Sequence, residues 1–113
     1  MIKFKEPKNR LQFFSLHPKL MKIISDVAWY AKEHFNIDIT ITSMIRPGDV
    51  GVHGDNRGCD IRSWDFTPEQ IGEIKYKFNT DYPYGDGKHP TCLVHDTGQG
   101  VHFHFQVRSD GKS

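Results

Sequence analysis

The 113-residue chain has no apolar run near the roughly 20 residues that a membrane-spanning helix needs. The expectation is therefore no membrane span. Its opening residues, MIKFKEPKNR, lack the apolar stretch of a secretion signal, so synthesis in the cytoplasm is expected. Cysteine is scarce. Cys59 and Cys92 are too few for a disulfide scaffold and read as reduced core thiols. Glutamate is scarce too, with Glu6, Glu33, Glu69 and Glu73 only. The net charge of +1 excludes a general nucleic-acid binder, and no repeat, linker or low-complexity stretch is present. The length suits one domain, residues 1–113, and a core of useful size.

What charge there is lies unevenly. Residues 1–22 hold Lys3, Lys5, Lys8, Arg10, Lys19 and Lys22 against Glu6 alone, a local +5, and the remainder carries −4. This reads either as a solvated basic face or as a surface attracting an anionic polymer. Residues 1–16 read as an extended N-terminal arm. His17-Pro18 opens a helix to about His34, with Leu20, Ile24, Val27 and Ala31 in helical spacing. Residues 37–43 alternate and are β-branched, a half-buried strand. Residues 46–56 form a loop, 58–61 a short strand, and Thr67-Pro68-Glu69-Gln70 a capped helix start followed by Ile71, Ile74 and Phe78. Residues 91–95 and 101–107 are strands of an antiparallel hairpin turning at 96–100. The order predicts an α+β fold, a small and mainly antiparallel sheet with helices packed on one face. Trp29, Tyr30, Phe35, Trp64 and Phe66 are expected in the core or at its rim.

Seven histidines stand out, because imidazole binds metals and carries protons near neutral pH. Alternation in the last strand puts His102 and His104 on one face, with Val101, Phe103 and Phe105 on the other. His53 ends the long loop and Asp60 lies on the short strand after it. Three nitrogen or oxygen ligands from separate elements leave a fourth position for water, the pattern of an open catalytic zinc site. His95 reads as structural or as a partner of such ligands. Arg57 reads as an ion-pairing or a substrate-binding residue. His17 reads as a helix staple or surface residue, and His34 as favourable to a helix C-terminus. Tyr82-Pro83-Tyr84 lines a groove or packs as a loop.

Ser43-x-x-Arg46, His53-x6-Asp60-Ile61 and His102-x-His104, in that order, resemble the LAS group of zinc peptidases. That group includes D-Ala-D-Ala carboxypeptidases of the VanY type, phage L-alanyl-D-glutamate endolysins and the hedgehog signalling domain. The resemblance spans about residues 16–108. It implies a hedgehog/DD-peptidase-like fold, Zn2+ held by His53, Asp60 and His104, and hydrolysis of peptidoglycan stem or cross-bridge peptides next to a D-amino acid by zinc-activated water. It implies His102 as catalytic proton carrier and Arg46 as a catalytic group that also grips the substrate, with Ser43, Arg57 and His95 beside the substrate. Which of His102 and His104 binds the metal stays open. A monomer of phage or prophage origin is the implied setting, with a cell-wall peptide as the only partner. The chain departs from the family at Asn56, in a usual glycine position, and at Gln99, where many members carry the acidic base; glutamine does not accept a proton near neutral pH. His102 or Asp96 takes that role, or turnover is lost and the domain only binds cell-wall peptide.

Overall fold

The strand Val101–Gln106 shows how alternation becomes architecture. Phe103 and Phe105 are buried in the core, while His102, His104 and Gln106 occupy the other face. The computed structural model describes residues 1–44, 56–96 and 100–108. Its elements are β1 (Ile2–Phe4), α1 (Pro7–Phe13), α2 (Pro18–Phe35), β2 (Ile39–Ser43), β3 (Gly58–Arg62), α3 (Pro68–Asp81), β4 (Cys92–Asp96) and β5 (Val101–Gln106). The strands form one five-stranded sheet in the order β1-β2-β3-β5-β4. β1 runs parallel to β2, and the other pairings are antiparallel. The fold is α+β, as the sequence predicts.

Both long helices begin where local chemistry supplies a cap. The His17 Nδ1 accepts from the Lys19 amide at 3.1 Å, and Pro18 takes the first helical position, where no backbone donor is needed. α2 ends at Asn36, whose φ of 56° is left-handed, a conformation asparagine tolerates. α3 opens on a reciprocal capping box. The Gln70 amide donates to Thr67 Oγ1 at 3.2 Å, and the Thr67 amide to Gln70 Oε1 at 2.9 Å.

Leu20, Ile23, Ile24, Val27 and Ala31 of α2 and Ile74 and Phe78 of α3 pack on Ile39, Ile41, Ile61, Phe103 and Phe105 of the sheet. Edge-to-face ring contacts join the layers, as between Phe78 and Phe105 at 6.1 Å and Phe66 and Phe103 at 5.6 Å. This leaves the histidine face of the sheet on the side away from the helices.

Two expectations need correction. Residues 1–16 are not an extended arm: they form β1 and α1. Ile2 and Phe4 line up beside Ile39 and Ile41, and Phe13 and Leu16 are buried in the same core. Apolar burial therefore recruits the segment. Trp29 and Trp64 are also not core residues, being 52% and 78% exposed. Trp29 falls between the buried positions of α2, and Trp64 lies past the end of β3. Tyr30 and Phe66 are buried, and Phe35 packs against the core.

Candidate metal and substrate site

The register of two ladders assembles the site. Asp60 stands opposite His104 across β3 and β5, Arg62 stands opposite His102, and His95 of β4 faces His102 from the other side. Since alternate residues share a face, Asp60, Arg62, His95, His102, His104 and Gln106 all lie on the side away from the helices. A register shift in β2 between Ile41 and Ser43 turns the strand end so that Ser43 pairs with Asp60. Bulges of this kind re-aim a side chain at the rim of a site.

Within that face the Asp60 Oδ1 and His104 Nδ1 are 2.8 Å apart, and both side chains are buried. The second carboxylate oxygen, Asp60 Oδ2, lies 3.7 Å from His102 Nε2. The His95 ring packs against His102 at 4.6 Å and His104 at 5.8 Å between centroids.

Gln106 decides the state of His104. Its Nε2 donates to the Pro90 carbonyl at 2.9 Å, an acceptor only, so the amide orientation is set. Its Oε1 then lies 3.1 Å from His104 Nε2, which must carry a proton to donate to it. In a neutral imidazole that leaves the Nδ1 lone pair aimed at a carboxylate oxygen. Two lone pairs at this distance repel unless a proton or a cation lies between them. A histidine that donates one ring N–H to an amide oxygen and turns the other nitrogen towards a carboxylate has the set-up of a metal ligand. Two atoms about 2.0–2.2 Å from one tetrahedral ion sit about 3.4 Å apart, so a small widening of this pair makes room for zinc. Carboxylate oxygen and imidazole nitrogen are both donors that zinc accepts.

The cysteines stay out of the site. Cys59 points into the core, where burial above all, and the neighbouring Asp60 charge, push its thiol well above the ordinary range. Asp96 shares the face of Val94, opposite to the histidines, and its Oδ1 accepts from the Gly100 amide at 3.2 Å across the hairpin turn. Of the two candidate bases, His102 is the one beside Asp60.

A cavity of about 730 Å³ opens next to this cluster. Ser43, Asp60 and His102 line it, together with Lys5, Arg62 and Trp64. The structure thus brings together Ser43, Asp60, His95, His102 and His104. Arg57 instead donates from Nη1 to the Val107 carbonyl at 3.1 Å, tying the entry of β3 to the exit of β5, and does not line the cavity. Arg46, His53 and Gln99 lie outside the described residues. Among the described residues, no three His, Cys, Asp or Glu side chains gather as a metal-holding group. Sequence reasoning missed Gln106, although alternation places it on the histidine face. It also missed Lys5, for which no local signal exists.

The chain matches none of the protein-family models, curated proteins or solved structures with which it was compared. The likeness to the LAS peptidases therefore rests on the residues and their order.

Proposed function

We propose that the chain is a zinc-dependent peptidase of the hedgehog/DD-peptidase type, cutting peptidoglycan stem or cross-bridge peptides next to a D-amino acid. The observation that carries this reading is the buried Asp60–His104 pair, in which Gln106 holds the His104 proton on Nε2 and turns Nδ1 towards the carboxylate. His53, Asp60 and His104 would hold the metal. Zinc, when bound, supplies Lewis-acid polarisation of a carbonyl and a nucleophile at neutral pH.

The chain's own groups do the rest. His102 takes a proton at Nε2, which lies 3.7 Å from Asp60 Oδ2, and returns it to the leaving amine. Arg46 grips a substrate carboxylate or carbonyl with its planar fork. Ser43, at the end of β2, offers a hydroxyl at the cavity wall.

Gln99 supports a second reading, in which the same zinc site binds cell-wall peptide without cleaving it. Zinc per chain, measured by elemental mass spectrometry on protein purified without added metal, tests the metal. A value near one is expected, falling to near zero in His53→Ala. A value near zero after incubation with zinc overturns both readings. Purified peptidoglycan then separates them: released peptide and new termini support the peptidase, and binding of muropeptides without release supports the binding module. Cleavage retained by His53→Ala would sink the mechanism.

A further inference from the structure

We propose that Lys5, with the Arg62–Trp64 pair, forms a subsite for a free carboxylate on the substrate, so that the site selects acidic peptides. The inference rests on the peptidase reading for the word substrate, but its geometry is independent of the metal.

The cavity is lined by residues of two kinds. Of its lining residues Asp60 is buried and His102 half-buried, whereas Lys5 and Trp64 are exposed. Lys5 sits at the corner between β1 and α1, where its own amide donates to the Ile41 carbonyl at 2.9 Å and holds the backbone to the sheet. Neighbouring cations are spoken for: Lys3 faces Asp38 at 3.9 Å and Lys8 faces Glu6 at 3.3 Å. The Lys5 ammonium has no carboxylate within 4 Å among the described residues, and of the six cations in residues 1–22 it is the one that lines the cavity. The basic N-terminal segment thus places at the cavity one cation with no carboxylate partner among the described residues.

Arg62 is built differently. Asp65 takes its Nε at 2.8 Å and Nη2 at 3.2 Å, which fixes the guanidinium plane and leaves Nη1. The guanidinium lies 4.8 Å from the centre of the Trp64 ring, holding an indole that is 78% exposed. Nearby, the Ser63 hydroxyl donates to the Val101 carbonyl at 2.8 Å, pinning the segment to β5. An exposed aromatic face backed by a guanidinium stacks on a planar amide. Lining the same cavity, an ammonium with no counter-ion among the described residues favours an anion. A peptide with a carboxylate next to its backbone amide satisfies both.

The test is binding, read from intrinsic fluorescence in a Trp29→Phe background, so that Trp64 alone reports. The probes are a stem tetrapeptide with free carboxylates and the same peptide fully amidated. The free form should bind about tenfold more tightly, the size expected of one charge-assisted contact. Lys5→Gln should lower that preference severalfold, while Lys22→Gln, which removes an equal charge from an exposed position of α2, should leave it unchanged. Trp64→Ala, followed by calorimetry, should weaken both peptides by a similar factor. Equal binding of the two peptides, a preference that Lys5→Gln leaves unchanged, or binding of neither peptide overturns the subsite. Carboxylate preference without turnover keeps the subsite and removes the peptidase. Turnover that ignores amidation keeps the peptidase and removes the subsite.

Discussion

Asp60 and His104 meet across the β3–β5 ladder with Oδ1 and Nδ1 2.8 Å apart, and Gln106 fixes from behind which ring nitrogen holds the proton. Three residues on one sheet face thus turn strand register into a carboxylate–imidazole–amide chain. The ladder holds the partners through backbone bonds, so the spacing does not depend on long side chains finding each other.

Gln106 is accordingly a positioning residue. In Gln106→Leu the His104 Nε2 loses its acceptor and the tautomer is no longer specified. Zinc affinity should fall about 10–100-fold, the usual cost of removing such an outer partner. Competition with a chromophoric chelator measures this, and urea unfolding in excess EDTA separates it from any loss of metal-free stability. Unchanged zinc affinity would mean that Nε2 is not the nitrogen turned away from the metal.

Much of the architecture is legible because its signals are local. Thr67, Pro68 and Gln70 mark the start of α3 within four residues, and His17-Pro18 does the same for α2. The period-two pattern of β5 separates Phe103 and Phe105 from His102 and His104 without any knowledge of the partners. β1 is only three residues and α1 only seven, too short for either period to declare itself, and β1 forms by pairing with β2 more than thirty residues away. The same distance hides the cavity. Lys5 and Arg62 line one cavity because β1 lies beside β2 and β2 beside β3. Trp64 reads as core by its size, yet its place after Arg62 and Ser63 puts it outside the apolar face.

The edge strand β4 depends on one side chain of α3. Asn79 Nδ2 donates to the Cys92 carbonyl at 2.8 Å, and Asn79 Oδ1 accepts from the Cys92 amide at 2.8 Å. An amide side chain here does the work of a missing neighbouring strand. Asn79→Ala leaves two polar backbone groups at a buried position, at a cost of about 2–3 kcal/mol. Urea unfolding should show a lower midpoint at unchanged slope, with amide exchange rising first in β4.

The two thiols should be silent in the native protein. Burial pushes Cys92 up to about 12 and Cys59 well above its ordinary value, so neither forms thiolate at pH 8. They flank Phe105 from opposite sides, Cys59 on β3 and Cys92 on β4. Two strand spacings of about 4.8 Å separate them, beyond the reach of a disulfide. A coloured disulfide reagent at pH 8 should detect no thiol without denaturant and two per chain with it. Rapid labelling of the native protein would contradict this packing.

Alkaline pH should weaken the link between α2 and α3. The Tyr30 hydroxyl donates to Glu73 Oε2, and this contact, with burial and the Glu73 charge, pushes the phenol up to about 12. Tyr82 is also raised to about 12, first by burial and then by its 2.8 Å bond to Asp26 Oδ2. Both are acids whose folded value lies above the unfolded value near 10, so the fold favours their neutral forms. Their contribution is fully present below pH 10 and is lost as pH rises towards 12. Tyr30→Phe should lower stability at pH 7 by about 1 kcal/mol through the lost bond. Its deficit against the wild type should shrink as pH rises from 10 to 12, because the wild type is then losing the same contact. Urea midpoints at pH 7, 10 and 11.5 measure this. A deficit that stays constant across that range would show that the Tyr30–Glu73 bond does not couple folding to the phenol's ionisation.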